Sequence, residues 1–451
     1  PQTMDRPTFL TNLRQSGLVT AEQMAKVVGR LPDSNRGPVL AKTLIEQGLL
    51  TRFQAELLLA GKTSGFFLGQ YRILDHLGRG GMGRVFKAEH MTMNRIVAIK
   101  VLAAHLTKTP KAQQMFQREV RAAARLVHPN IVTAYDANQV GDRSYLVMEY
   151  VDGPNLEQLV KQRGPLPVGV VCDFIRQAAN GLQHAHEVGM VHRDIKPANL
   201  LVQRPTSSSA NAYCSVKILD FGLARLQSWG PGKPGGESIM AAENTVLGTP
   251  DFLSPEQARN MHSVDIRSDL YSLGCTMHYL LTGKTVFPGG TTLEKLVRHS
   301  TTEPPPIEAL RPDVSPPVAA IYRRLMAKKP DHRFQTPAEL AATLAPFAVQ
   351  GPPQMAAQGA AGASALASTA GSSAWTANPT NGSGGSPEDE WAIGALPPNL
   401  NPAAMSIAGL PSVRTQQQYL RDHQRRIMFA VAAAVGVVIG MVLLGAVMLF
   451  R

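Results

Sequence analysis

Between residues 192 and 199 the chain reads His192-Arg193-Asp194-Ile195-Lys196-Pro197-Ala198-Asn199, and Asp220-Phe221-Gly222 follows soon after. One short loop thus holds a carboxylate, a cation and an amide, with a second carboxylate nearby. Those are the groups that phosphoryl transfer needs. The reaction passes through a loose transition state, so catalysis is mostly a matter of positioning reactants and neutralising spread charge. Asp194 can accept the proton of an attacking hydroxyl, and Lys196 can neutralise a terminal phosphate. Asp220 and Asn199 offer the hard oxygen ligands that magnesium takes beside phosphate and water.

Groups with these tasks must surround one nucleotide, and the upstream segments read as the elements that would place them. Tyr71-Arg72-Ile73-Leu74 and Arg84-Val85-Phe86-Lys87-Ala88 look like strands flanking the turn Gly78-Arg79-Gly80-Gly81-Met82-Gly83. Glycines let backbone approach a polyphosphate, and Val85 can pack on a base. The turn alone suits a plain hairpin or a dinucleotide-binding loop equally well, but the latter requires a helix after its last glycine and here a strand follows. Ile96-Val97-Ala98-Ile99-Lys100 is an apolar strand ending in one lysine. Such a lysine is ordinarily a solvated tip; at this distance from the glycine turn its ammonium reaches α- and β-phosphates. The helix around Phe116-Gln117-Arg118-Glu119-Val120 carries Glu119, a surface charge by default and a position-setting partner if paired with Lys100. Tyr145 to Tyr150 reads as a buried strand that leaves through Val151-Asp152-Gly153, a hinge between a strand-rich lobe and a helical region. Adenine would lodge in that crease against Leu77, Val85, Ala98, Met148 and Leu201, each of which serves equally well as a core residue.

In this order, and with Ser254-Pro255-Glu256 downstream, the pieces resemble the eukaryotic-type (Hanks-type) protein kinase family, close to bacterial membrane-anchored Ser/Thr kinases, from about Tyr71 to Phe347. The resemblance implies an α+β, bilobal kinase fold with a strand-rich N-lobe and a helical C-lobe. It implies ATP with Mg2+ as cofactors, Mn2+ being an alternative, and proteins with Ser/Thr acceptors as substrates. The catalytic set it implies is Asp194, Lys196, Lys100 and Glu119, with Asn199 and Asp220 as metal ligands. Its ATP contacts are Leu77, Gly78, Arg79, Gly80, Gly81, Met82, Gly83, Arg84, Val85, Ala98, Lys100, Met148, Glu149, Val151 and Leu201. A lysine at 196 accompanies serine and threonine acceptors in the family, and Thr249 in Gly248-Thr249-Pro250 agrees. Ser268-Asp269-Leu270-Tyr271-Ser272-Leu273-Gly274 resembles the buried helix whose aspartate braces the catalytic loop, and Arg333 is placed to pair with Glu256. The sequence departs from the family pattern at a long Asn199-to-Asp220 link containing Pro205-Thr206-Ser207-Ser208-Ser209, and at Ser254, where alanine is usual.

Arg193 belongs to a pattern that in this family receives a phosphate from the activation segment. That segment, 220 to 256, holds Ser228, Ser238, Thr245 and Thr249. Thr245 is the expected autophosphorylation site and Ser238 the next candidate, with Thr249 structural. A homodimer would allow the transfer in trans.

Outside this region, residues 1–65 contain a pattern repeated at a spacing of about thirty residues. It runs Ser16-Gly17-Leu18-Val19-Thr20-Ala21-Glu22-Gln23, then Gln47-Gly48-Leu49-Leu50-Thr51-Arg52-Phe53-Gln54. Each copy reads as helix, glycine stop, short link, helix, with Thr20/Gln23 and Thr51/Gln54 fitting capping boxes. The result is a small helical repeat module with no paired catalytic groups, suited to docking or packing. It resembles small helical repeats found ahead of bacterial kinase and secretion-ATPase domains. Residues 348–426 form an Ala/Gly/Pro/Ser-rich linker whose mean reach is ~45 Å. The stretch 427–450 is apolar and uncharged, long enough for one transmembrane helix, and Arg421, Arg425 and Arg426 place its preceding side in the cytoplasm. The expectation is a single-pass protein of the cell (inner) membrane, in contact with the lipid bilayer, its kinase domain cytoplasmic. Pro1 in place of Met suggests a processed or incomplete start, and no secretory signal opens the chain.

The composition supports one large folded unit plus attachments: 44% hydrophobic and 17% charged, with 39 Gly and 33 Pro unevenly spread. The net charge of +12 lacks any long basic run or aromatic-interleaved stripe, so nucleic acid is not an expected partner. The three cysteines show no CxxC spacing, which points to buried thiols in a reducing compartment, not zinc or disulfides. The competing function is a non-catalytic, nucleotide-binding membrane scaffold on the same fold. Intact Lys100, Asp194, Asn199 and Asp220 argue against it.

Overall fold

The computed structural model describes residues 4–29, 31–106, 109–141, 143–204, 214–221, 249–259 and 264–348. The linker, the span 427–450, Gly222, Ser228, Ser238 and Thr245 lie outside the described residues. No described helix is long and apolar enough to cross a membrane.

Four helices open the chain: α1 (Arg6–Ser16), α2 (Ala21–Val28), α3 (Gly37–Glu46) and α4 (Arg52–Leu59). Their ends follow from local chemistry. Thr20 with Gln23 and Thr51 with Gln54 form reciprocal capping boxes, each hydroxyl and amide meeting a backbone group that a helix start leaves orphaned. Gly17 and Gly48 stop α1 and α3 in the left-handed conformation. Phe9, Leu13, Leu40, Leu44 and Leu58 are fully buried in one apolar cluster that extends to Phe66.

A six-stranded sheet of order β1-β2-β3-β4-β6-β5 follows, all of its pairs antiparallel. The strands are β1 (Phe67–Leu68), β2 (Tyr71–Gly80), β3 (Gly83–His90), β4 (Arg95–Leu102), β5 (Ala134–Val140) and β6 (Arg143–Glu149). From Val97 to Leu102 the central strand β4 is buried on both faces, in keeping with a run that is apolar except for Lys100. Between β4 and β5 runs α5 (Pro110–Ala123), whose buried residues are Phe116 and Val120.

The helical lobe begins with α6 (Leu156–Arg163) and α7 (Val168–Glu187), then the short hairpin β7 (Leu200–Gln203) and β8 (Ser215–Ile218). It continues through α8 (Pro255–Arg259), α9 (Ile266–Thr282), α10 (Thr292–Thr301), α11 (Ile307–Leu310), α12 (Pro316–Leu325) and α13 (Pro337–Leu344). Helix α9 is buried almost all round, so it forms the axis of this lobe, and Leu270, Leu273, Leu280, Tyr322 and Leu325 are fully enclosed. Each such leucine contributes about 1.5–3 kcal/mol by leaving water.

The lobes are stitched together by backbone. Val132 N–H donates to Ile218 carbonyl at 2.9 Å and Ile218 N–H to Asn130 carbonyl at 2.9 Å, a parallel bridge that ties the lead-in to β5 onto β8. Across the hinge, Gly153 lies so close to β7 that a Cβ there would sit 1.8 Å from the Val202 carbonyl oxygen, which only glycine allows.

Candidate active site

The loop 192–199 has no regular structure before the single 3-10 turn Pro197–Asn199, so its shape must be imposed from outside. Asp269 on α9 does this. Its two carboxylate oxygens accept the backbone N–H of His192 at 2.7 Å and of Arg193 at 2.8 Å. Arg193 is held at φ 69, a left-handed conformation that a non-glycine residue adopts only under such constraint. Burial pushes the Asp269 carboxyl above its ordinary range, while His192 and the two N–H donors pull it back. The His192 ring bonds the Leu219 carbonyl at 2.6 Å and meets the Phe221 ring edge-on at 4.7 Å, which links the loop to Asp220.

Below the same loop, Gln257 Nε2 donates to the Arg193 carbonyl at 2.9 Å. Gln257 is aimed by Ser254: the Ser254 N–H donates to Gln257 Oε1 at 3.0 Å and the Gln257 N–H to Ser254 Oγ at 3.3 Å. The departure from alanine at 254 is therefore a capping box for α8, a pattern written in Ser254-Pro255-Glu256-Gln257. Glu256 pairs with Arg333 through two bonds of 2.6 and 2.9 Å, the partnership expected from the sequence. Burial alone would raise the Glu256 carboxyl; the Arg333 bonds and charge, with Ser268, outweigh that and hold it below its ordinary value.

The chemistry-bearing side chains converge on this support. Lys196 Nζ lies 2.9 Å from Asp194 Oδ2 and 3.4 Å from Thr249 Oγ1, which ties the loop to the far end of the activation segment. Asn199 donates its amide to the Asp194 carbonyl at 2.7 Å and to Asp194 Oδ2 at 3.0 Å. Its backbone carbonyl accepts from Leu219 N–H at 2.9 Å, beside Asp220. Asp220, at φ 62, reaches across to the strand lobe, where its Oδ2 accepts from Lys100 Nζ at 2.7 Å. Among the described residues the Lys100 ion pair is this one, with Asp220 and not with Glu119, which sits half-buried on α5.

The glycine turn lies over the end of β4. Strands β2 and β3 stay paired to Gly80 and Gly83, leaving Gly81-Met82 as the turn. A Cβ on Gly83 would lie 2.0 Å from the Val101 carbonyl, so glycine is obligatory there. Met82 accepts from Ala103 N–H through its carbonyl, at 2.9 Å, and its sulfur lies 3.6 Å from Lys100 Nζ. Nothing in the sequence pointed to that methionine contact. Ala98 and Met148 are direct cross-strand partners, as are Val85 and Lys100, and Leu77, Val151 and Leu201 are buried. Glu149, at the hinge, is held by Lys217 of β8 at 3.0 Å, a second contact that sequence reasoning missed. Arg79 and Arg84 face each other at the mouth of the turn as cross-strand partners, beside Gly78.

The donors suit one kind of metal. No group of three or more His, Cys, Asp or Glu that could hold an ion occurs among the described residues. Asp220 and the Asn199 amide oxygen form a sparse oxygen set that fits magnesium, which keeps waters and phosphate oxygens as its remaining ligands.

Residues 71–343 match the protein kinase domain family. The serine/threonine-protein kinase PknB of Mycobacterium leprae (strain TN) is 38% identical over 279 residues, 61% of this chain and 42% of the relative. The serine/threonine-protein kinase Pkn1 of Myxococcus xanthus is 38% identical over 270 residues, 60% of this chain and 37% of the relative. The alignment thus spans about two fifths of the length of these curated relatives. The crystal structure of the Mycobacterium tuberculosis PknI kinase domain aligns with 63% of this chain and 98% of that chain, at 26% identity and a TM-score of 0.48.

Proposed function

The chain belongs to the protein kinase family, of the bacterial Hanks type, and from that membership we propose that it is an ATP-dependent serine/threonine protein kinase. The observation that carries the reading is the Asp194 carboxylate, held between Lys196 and Asn199 with Thr249 in reach of the same lysine. A serine or threonine hydroxyl brought to Asp194 loses its proton to that carboxylate as its oxygen bonds to the γ-phosphorus. The bond from phosphorus to the β-bridging oxygen breaks, and ADP departs with the electron pair. Lys196, already beside Asp194, stabilises charge on the transferred group, and Lys100 serves the α- and β-phosphates. Bound magnesium, held by Asp220 and Asn199, would neutralise the phosphate oxygens. Adenine is taken in the crease between Ala98, Met148 and Leu201.

The same proposal extends to regulation and place. Phosphorylation of Thr245, with Ser238 as the second candidate, would give Arg193 an anionic partner, and a second copy of the chain would supply the transfer in trans. The apolar stretch 427–450 with its preceding arginines supports a single-pass anchor in the cell membrane, with the kinase region cytoplasmic. The four N-terminal helices serve packing and docking.

The test is transfer of label from γ-labelled ATP with magnesium to a generic Ser/Thr protein acceptor, by the full chain in detergent. Asp194→Asn should lower the rate by about 10²–10⁴-fold. Equal labelling by the two forms would overturn the enzyme reading in favour of a scaffold.

A further inference from the structure

The two copies of the N-terminal pattern do different things. In the first, the Gln23 N–H donates to Thr20 Oγ1 at 3.2 Å and the Thr20 N–H to Gln23 Oε1 at 2.9 Å, and both side chains stand in solvent. In the second, the same reciprocal bonds form at 3.2 and 2.9 Å, but Gln54 is only 2% exposed. Its remaining donor, Nε2, bonds the Ile73 carbonyl at 2.6 Å, and the Thr51 hydroxyl donates to the Leu74 carbonyl at 2.6 Å. A capping box needs neither bond, and neither donor is needed by α4.

Both acceptors lie on β2, where the ladder to β3 is interrupted. The register passes from Ile73↔Ala88 to Asp75↔Lys87 and from His76↔Phe86 to Gly78↔Val85, so Leu74 and Leu77 are each skipped. An extra residue bends its strand and increases the local twist, and it leaves a backbone group without a ladder partner. At Leu74 that group is satisfied by Thr51. The neighbouring Ile73 is fixed on the same side, its N–H donating to the Phe66 carbonyl at 2.8 Å. Phe53 adds an apolar contact with Phe86 of β3, at 6.5 Å between ring centroids. The second skipped residue, Leu77, is buried in the crease and adjoins Gly78, where the glycine turn starts.

We propose that Thr51 and Gln54 are positioning residues for the nucleotide site: they set the first bulge of β2, and β2 carries that bend to Leu77 and the turn Gly78–Gly83. On this view the N-terminal helices are a built part of the strand lobe. The inference rests on the kinase reading of the site only in taking that crease as the nucleotide seat.

The experiment measures nucleotide affinity directly, by binding of a fluorescent ATP analogue with magnesium to the full chain, and transfer separately. Gln54→Leu and Thr51→Val each remove two hydrogen bonds, one to β2 and one within the capping box, and the lost bond to β2 should weaken binding by about 3–10-fold with kcat within about twofold of wild type. Thr51→Ser, which keeps the hydroxyl, should restore wild-type affinity, and Gln23→Leu in the first copy should leave affinity unchanged. Amide exchange on residues 74–83 should quicken in Gln54→Leu while α9 stays protected. If Gln54→Leu does not fold, the Thr51→Val and Thr51→Ser pair decides. Wild-type affinity in the folded variants, with only a lower melting temperature, would overturn the proposal and leave a merely structural contact. A wild-type chain that binds nucleotide but transfers nothing refutes the kinase reading alone, and the Thr51 and Gln54 comparisons still decide this one. A wild-type chain that binds no nucleotide overturns both.

Discussion

Asp269→Asn is the most informative single change outside the reacting groups. The wild-type carboxylate accepts two backbone N–H bonds, from His192 at 2.7 Å and Arg193 at 2.8 Å, inside a site that is 1% exposed. Asparagine has the same shape but only one oxygen, so one N–H would face an NH2 group. The change removes one charge-assisted bond, about 1.5–3 kcal/mol, and leaves a buried donor unmet, about 1–3 kcal/mol. Part of that is recovered by releasing Arg193 from its left-handed conformation, a strain of about 1–3 kcal/mol. The lost bond and the unmet donor overlap, so the net expectation is a loss of about 2 kcal/mol, a sizeable share of the stability of a typical domain, about 5–15 kcal/mol. Where the chain still folds, the loop carrying Asp194 and Lys196 is no longer fixed, and a misplacement of about 1 Å corresponds to about 10²-fold in rate. Urea denaturation and steady-state kinetics on the same preparations check this. The expected outcome is a lower denaturation midpoint and a kcat reduced about 10–100-fold, with KM for ATP little changed. A folded Asp269→Asn chain with wild-type kcat would refute the brace argument.

Two further outcomes follow from burial. His278 and His299 are enclosed, and burial lowers each from an ordinary 6.5 to about 4. A folded-state value below the unfolded one means stability is complete above pH ~6.5 and is lost as pH falls toward 4, by up to about 3 kcal/mol for each ring. The melting temperature should therefore drop between pH 6.5 and 5, before most carboxylates titrate, and His299→Gln should flatten that slope; a flat wild-type profile over this range would contradict the assignment. At the hinge, Gly153→Ala places a Cβ 1.8 Å from the Val202 carbonyl oxygen and should cost about 1–3 kcal/mol, read as a lower urea midpoint. An unchanged midpoint would show that the hinge and β7 separate freely.

How far the sequence carried differs from residue to residue, for physical reasons. The identities of Asp194, Lys196, Asn199, Asp220 and Lys100 were readable because their types suit phosphoryl transfer and they stand in the order of a known family signature. The capping boxes were readable because their bonds close within three residues. What the capping boxes do was not: Thr20-Ala21-Glu22-Gln23 and Thr51-Arg52-Phe53-Gln54 are equivalent as local patterns, and only tertiary placement sets the second against Ile73 and Leu74. The Lys217 bond to Glu149 joins strands of opposite lobes, and an ion pair between positions so distant leaves no periodic trace. Ser254 read as a departure from a family pattern, and the local signal that explains it, a serine three residues before Gln257, stood beside it. The expectations for Thr245, Ser238 and 427–450 fall outside the described residues and remain proposals.

The charges of the cleft show why such distant partners matter. Lys100 with Asp220, Lys196 with Asp194 and Lys217 with Glu149 each pair one ammonium with one carboxylate, at 2.7, 2.9 and 3.0 Å. All three pairs are largely withdrawn from solvent, so none of these carboxylates could stand there alone without a penalty of several kcal/mol. Under the proposed function a polyphosphate does not enter an empty cationic pocket. It competes with Asp220 for Lys100 and also displaces the Met82 sulfur that lies 3.6 Å from the same ammonium. Freeing Asp220 in turn leaves a half-buried carboxylate in need of a cation. Nucleotide and divalent cation would then be coupled by electrostatics: the one needs Lys100 and the other Asp220, and these two neutralise each other until both ligands arrive.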